Sequence, residues 1–315
     1  MVGSVLRLHS LDAADYLRSA MLAGLLIACA ACQSNGTTGP ADMDALKAAL
    51  TDTAAQYPDA SVAVAVRDLA TGDSLTIRGA RRFHAASTMK VPVMAEVFRQ
   101  AQAGRFALDD SLTIRNQFAS IVDGSTYRIE DDSDPAIYDR LGEPMSIRDL
   151  TERMITVSSN LATNMVIELV APKSVQQLLD NMGAGRMQVR RGVEDLKAYR
   201  QGLNNTATAA DLATVLTAIA SHSLVSPEAC RKMVAILKQQ EFNDTIPAGL
   251  PDNVEVAHKT GWITEIHHDA AIVYPLNAAP YVLVVLTEGI SDRETSAALH
   301  ARIARAVHEA LRPPA

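Results

Sequence analysis

Apolar positions along the chain change from helical to alternating spacing and back in a definite order. Met43, Leu46, Leu50 and Ala54 recur on one helical face, which predicts a first helix ending before Pro58. Ser61 to Leu69 reads as a strand, Thr71-Gly72-Asp73 as a turn, and a second strand runs through Arg78, so the pair makes a hairpin. A helix then opens near Ser87, with Val93, Met94, Val97 and Phe98 forming an apolar side that suits a central position. Pro92 is tolerated there only in the first turn, so this helix begins close to Ser87 and begins tightly. The stretch from Asn116 to Glu143 is polar and carries Glu130-Asp131-Asp132-Ser133-Asp134-Pro135; without the ligand spacing of an EF-hand it reads as a solvated loop. Ser146 to Asp149 fits a capped helix start, and Leu150 to Val170 reads as a buried helix interrupted at Ser158-Ser159-Asn160. Helices are predicted at Lys173 to Met182, Thr208 to His222 and Pro227 to Gln239, with a loop region at Arg186 to Asn205. Strand patterns return at Val254 to Lys259, Asp269 to Tyr274 and Tyr281 to Thr287, and a helix from Arg293 to Leu311 closes the pattern.

Strands at both ends around a helical middle predict an α+β fold: an antiparallel sheet built from both chain ends, covered by terminal helices, with an inserted all-helical lobe. The expected boundaries are a signal at 1–31, a linker at 32–41, a sheet-bearing lobe from 42–86 and 254–315, and a helical lobe at 87–253. No internal repeat is present.

Composition narrows the function. The 315 residues with 48% hydrophobic content are enough for a sizeable core, and aromatics at 4% leave that core to Ala, Val, Leu, Ile and Met. A net charge of -7 without a basic run argues against nucleic acid as a partner. The apolar run Ala20 to Ala31 behind Arg18 is too short to span a bilayer and suits a secretory signal, which predicts export to the periplasm or a membrane-tethered state. Leu26-Ile27-Ala28-Cys29 resembles a bacterial lipoprotein cleavage box, which would make Cys29 a lipid anchor; cleavage beyond Cys32 is the alternative. Cys29 and Cys32 lack the strand and helix that a redox Cys-x-x-Cys needs, and Cys230 is expected to be a buried free thiol. A monomer is expected.

Ser87-Thr88-Met89-Lys90 is the one Ser-x-x-Lys of the chain, and it places a hydroxyl and an amine one helical turn apart. An amine of lowered pKa activates a serine for attack on a carbonyl; the bland alternative is a helix cap beside a solvated lysine. Two further motifs follow in order: Ser158-Ser159-Asn160 in the helical middle and Lys259-Thr260-Gly261 at a strand end. Each is weak alone, but their order and context match those of class A β-lactamases and penicillin-binding proteins.

On these residues the sequence resembles the penicillin-recognising serine hydrolase superfamily, and most closely the class A serine β-lactamases, over about Met43 to Leu311. Asn160-Leu-Ala-Thr-Asn164, Thr206-Ala-Thr208, Ala271 to Pro275 and Pro280 to Leu286 extend the likeness; Asn164 corresponds to an asparagine that holds the catalytic loop. The resemblance implies Ser87 as nucleophile, Lys90 as its base or as the source of a positive local field, and Ser158 as proton relay to the leaving nitrogen. It further implies Asn160 on the substrate amide and Lys259 with Thr260 on a substrate carboxylate. Gly261 would allow close main-chain approach, and the amides of Ser87 and Trp262 would form the oxyanion hole. Neither a cofactor nor a metal is implied.

The sequence departs from the family pattern at three places. Ser159 stands where class A carries Asp, and the bulky Trp262 follows the third motif, where it would narrow the mouth of the site. The loop Arg191-Gly192-Val193-Glu194-Asp195-Leu196-Lys197 is one residue short of the Glu-x-x-Leu-Asn pattern that supplies the deacylation base. Glu194 is the candidate base, with Asp195 as the competing carboxylate. The small-molecule substrate is accordingly a β-lactam or a peptidoglycan-like compound. A D-Ala-D-Ala-type peptidase, an amidase, an esterase and a non-turnover penicillin-binding sensor are the alternatives.

Overall fold

The computed structural model describes residues 41–312; the expected signal, nearly all of the linker and Cys29 lie outside the described residues. Asp42 caps α1 (Met43–Ala55) by accepting from the amides of Asp44 and Ala45. The hairpin of β1 (Ser61–Asp68) and β2 (Ser74–Ile77) leads through β3 (Phe83–His84) to a 3₁₀ turn at Ala86–Met89 and then α2 (Lys90–Gln102). The short strands β4 (Ser111–Thr113), β5 (Phe118–Ala119), β6 (Thr126–Tyr127) and β7 (Pro144–Ser146) organise the polar stretch. Helices α3 (Ile147–Thr156), α4 (Asn160–Val170), α5 (Pro172–Asn181) and the short α6 (Leu196–Arg200) follow, then β8 (Thr206–Ala207), α7 (Ala209–Ala220) and α8 (Pro227–Leu237). Strands β9 (Glu255–Ile263), β10 (Ile266–Tyr274) and β11 (Tyr281–Glu288) precede α9 (Arg293–Leu311).

The main sheet is five-stranded, in the order β2-β1-β11-β10-β9, with every pair antiparallel. Strands from the two chain ends are therefore zipped directly together, β1 against β11. Both faces of the sheet are buried, so its strands read as continuous apolar runs rather than polar-apolar alternation. Val62, Val64, Val66, Leu283 and Val285 point toward Leu46 and Leu50 of α1 and Leu299, Ile303 and Val307 of α9. Ala63, Ala65, Val282, Val284 and Leu286 point the other way, into the core built with α2, α4 and α7. Helix α2 is buried on nearly every side, which is why its apolar face extends around it. Pro92 sits in its first turn, where a missing N–H costs nothing.

Local reading misplaced two features. The hairpin of β9 and β10 is longer than its apolar pattern, since β9 continues to Ile263 and β10 starts at Ile266, so Lys259-Thr260-Gly261 lies inside a strand rather than at its end. Polar residues occupy this extension because it borders the site instead of the core. The acidic run is also not a solvated loop. Asp134 is buried and ion-paired to Arg153 of α3 at 2.7 and 2.8 Å, and Asp132 caps the start of α4. Buried carboxylates need partners, and these partners come from helices 19 to 29 residues away in the chain.

His267 and His268 point to opposite faces of β10, as adjacent strand residues must. His268 meets Phe83, donates from Nε2 to the His84 carbonyl at 2.9 Å and accepts at Nδ1 from the Thr287 amide, while His267 stacks against His300 of α9 with centroids 5.1 Å apart. Burial lowers their pKa values, to about 4 for His267 and about 3 for His268. Both rings are thus neutral in the fold but protonate in the unfolded chain below its ordinary value of 6.5. Stability is fully present above that value and is lost as pH falls toward the folded values, each histidine costing about 2–3 kcal/mol by pH 4. Thermal melts from pH 7.5 downward are expected to show Tm falling already between pH 6.5 and 5, before most carboxylates titrate. A flat Tm across that window would contradict the burial of neutral rings.

Candidate active site

Ser87 occupies the second position of the 3₁₀ turn, behind Ala86, whose φ of 44° lies in the left-handed region. Such a conformation is costly for a residue with a side chain and is held by its surroundings. His84 contributes, its Nδ1 accepting from the Ala86 amide at 3.1 Å; burial, then the nearby Arg191 charge, lowers its pKa to about 4 and keeps it a neutral acceptor. Gly261 of β9 closes the other side. A Cβ there would lie 2.9 Å from the Ser87 nitrogen and 3.1 Å from the Thr88 nitrogen, so only glycine lets the strand run this close to the nucleophile.

Lys90 is the first residue of α2 and is fully buried. Its Nζ donates to the Ser158 carbonyl at 2.7 Å, to Asn160 Oδ1 at 3.0 Å and to Ser158 Oγ at 3.1 Å. Burial pulls its pKa down to about 7, against the opposing pull of the Asp132 and Glu194 carboxylates. A sizeable neutral fraction therefore exists near neutral pH. Losing one proton leaves the amine a lone pair and makes it a base, with Ser158 and Asn160 as the partners it touches.

Ser158 sits at the break between α3 and α4 with φ of 59°, which projects its hydroxyl to the amine. Ser159 is the N-cap of α4, accepting from the Ala162 amide. Asn160 faces both ways: its Oδ1 accepts from Lys90, and its Nδ2 donates to Glu194 Oε1 at 2.8 Å and to the Asp131 carbonyl at 3.2 Å. Glu194 also accepts from the Glu130 amide at 3.1 Å. Burial raises the Glu194 pKa, and these hydrogen bonds only partly offset it, so the carboxylate is a stronger base than a solvated one. The 34-residue gap between Asn160 and Glu194 is closed by side-chain contact.

Loop placement has a traceable cause. Asn164 grips Val193 through both ends of its amide, accepting from the amide at 2.6 Å and donating to the carbonyl at 3.0 Å. A Cβ at Gly192 would fall 2.4 Å from Asn164 Oδ1, so this grip requires glycine, a requirement that local sequence reading overlooked although the residue was in view. The competing carboxylate is committed elsewhere. Asp195 is buried, caps α6 through the Ala198 amide and accepts from Ser120 Oγ and the Ile121 amide, both at 2.9 Å.

Lys259 on β9 is fully buried, and its Nζ has no hydrogen-bond partner among the described residues. Burial, then the positive charge of Lys90, holds its pKa well below that of a free lysine. An arriving anion would supply the missing acceptor. Thr260 follows in register with Asp269 and is nearly buried. Trp262 shares the strand face of Thr260, two residues before it. Strand parity puts its side chain on the face opposite Gly261, where Arg293 at the start of α9 lies 5.5 Å from the ring centroid.

The description "Beta-lactamase enzyme family" matches residues 45–311. Beta-lactamase AST-1 from Nocardia asteroides is 28% identical over 322 residues, covering 99% of this chain and 100% of that protein. Among solved structures, the beta-lactamase from Sphaerobacter thermophilus superposes with a TM-score of 0.71 at 26% identity, covering 87% of this chain and 100% of that one. PBP-A superposes with a TM-score of 0.75 at 25% identity, covering 86% of this chain and 98% of that one.

Proposed function

Because the chain belongs to the beta-lactamase enzyme family, we propose that it is a class A-like serine β-lactamase, opening the β-lactam amide through an acyl-enzyme on Ser87. The observation that carries this reading is the unbroken hydrogen-bonded path Ser158–Lys90–Asn160–Glu194, whose Lys90 follows Ser87 by three residues at the start of α2. It gives acylation and deacylation separate proton acceptors within one site.

In this scheme the substrate carboxylate meets the unpartnered Lys259 ammonium with Thr260, and the lactam carbonyl oxygen meets the main-chain amides of Ser87 and Trp262. Neutral Lys90 takes the Ser87 proton while Oγ bonds to the carbonyl carbon. The carbon–nitrogen bond breaks, and the proton passes through Ser158 to the departing nitrogen. Glu194 then accepts a proton from water, whose oxygen attacks the ester; Ser87 recovers its hydrogen, and the net change is addition of one water across the amide. No metal or cofactor enters these steps.

A second reading, a peptidase or slow acyl-trapping protein of the same fold, is favoured by one feature. Both Glu194 oxygens already accept hydrogen bonds, from Asn160 and from the Glu130 amide, which leaves less capacity for a water. Comparing steady turnover of a chromogenic cephalosporin with release of D-alanine from an acyl-D-Ala-D-Ala peptide separates the two. The proposal predicts repeated cephalosporin turnover and little peptide cleavage; a single stoichiometric burst, or peptide cleavage alone, would favour the second reading. The proposal also includes export as a monomer, either to the periplasm or tethered by a lipid on Cys29, supported by the apolar run Ala20 to Ala31 and the cleavage-box pattern at Leu26 to Cys29.

A further inference from the structure

The second motif has Ser159 at its middle position, and that hydroxyl reaches the Ala162 amide at 3.3 Å and Asp132 at 3.5 Å. The carboxylate absent from the motif arrives from the neighbouring loop. Asp132 Oδ1 accepts from the Asn160 amide and Oδ2 from the Leu161 amide, both at 2.8 Å, and Oδ2 also accepts from the Tyr138 hydroxyl at 3.0 Å. These amides are the first two of α4, donors with no acceptor inside the helix and at its positive end.

The loop is itself pinned on both sides of the α3–α4 break. Asp134 pairs with Arg153 of α3, and the Ser133 hydroxyl donates to the Val157 carbonyl at 2.6 Å. One step earlier, the Asp131 carbonyl accepts from Asn160 Nδ2 and the Glu130 amide donates to Glu194. Residues 130–134 thus clip the break from which Ser158 and Asn160 reach Lys90.

We infer that Asp132 is a positioning residue for acylation: it fixes the end of α4 that carries Asn160 and places a negative charge beside Lys90. This rests on reading Ser87 as the acylated nucleophile. The charged groups acting on Lys90 are Asp132 and Glu194, which favour its ammonium, and Lys259, which disfavours it; Ser158 and Asn160 face it as neutral partners. Asp132 is the stronger of the two carboxylate influences, so without it the Lys90 amine becomes a weaker base.

The test is single-turnover acylation by a chromogenic cephalosporin from about pH 5 to 9, for wild type, Asp132→Ala and Asp132→Asn. Acylation is expected to slow by about 10- to 100-fold in the alanine variant. The asparagine variant keeps an amide oxygen for one helix donor and is expected to lose several-fold less. In both variants the acidic limb of the profile is expected to move down by roughly one pH unit, because both lose the charge. A residue that only stabilised the helix would lower Tm and rate without moving that limb. An unmoved limb in the asparagine variant, or rates within twofold of wild type in both, overturns the role of Asp132 and leaves Ser87 standing. A wild-type protein that forms no adduct overturns both.

Discussion

Ser87→Ala is expected to lose cephalosporin hydrolysis by at least about 10⁴-fold and to form no covalent adduct with any β-lactam. The effect is large because every later step needs the Ser87 oxygen, whereas binding to Lys259 and the main-chain amides survives the change. Substrate should therefore still associate reversibly, leaving a saturable, non-covalent signal. Little stability should be lost, since Ser87 is only partly buried and its hydroxyl makes no hydrogen bond with a protein partner among the described residues. Intact mass spectrometry after incubation, combined with a melt, checks both halves. An adduct at full stoichiometry in this variant would move the nucleophile elsewhere.

Glu194→Gln is expected to acylate at near the wild-type rate and to release its product about 10² to 10⁴ times more slowly, so that the acyl-enzyme accumulates. Glutamine keeps an oxygen for the hydrogen bond from Asn160, so the loop should hold its place while the base is lost. Its removal also takes away a carboxylate that favours the Lys90 ammonium, so acylation should shift slightly to lower pH rather than collapse. Burial raises the Glu194 pKa, which means that wild-type deacylation should fail on the acid side earlier than for a solvated carboxylate. Adduct lifetime measured by mass after rapid quenching reads this directly. A variant that deacylates as fast as wild type would show that Glu194 is not the base.

How far the chain could be read follows the range of the interactions involved. The α+β architecture was legible because the sheet is apolar on both faces and its strands lie at the two ends of the described chain. The closeness of Ser87 and Lys90 along the chain was legible from their three-residue spacing, whereas the partners that Lys90 touches, Ser158 and Asn160, lie 68 and 70 residues on. Glu194 could only be nominated, since its contact with Asn160 crosses 34 residues and depends on the grip of Asn164 on Val193. Asp132 and Asp134 were misjudged as solvated for the same reason: a carboxylate in a polar run gives no local sign that its partners are a helix end and Arg153. The burial of Lys259 was equally hidden, because the extension of β9 past the apolar pattern is set by its pairing with β10. The contact of Trp262 with Arg293 of α9 was likewise out of reach, since 31 residues separate the two.

The central claim is that one site both acylates and releases. Its most direct test is a quenched time course of the wild-type protein with a chromogenic cephalosporin, followed by intact mass and peptide mapping alongside product absorbance. The account predicts an adduct on the peptide containing Ser87 that appears and then disappears as substrate is consumed, with many products formed per enzyme. Product without any Ser87 adduct would contradict it even at the shortest quench times if acylation had been made rate-exceeding by Glu194→Gln and still left Ser87 unmodified. An adduct that persists in the wild type, with one product per enzyme, would contradict the release half.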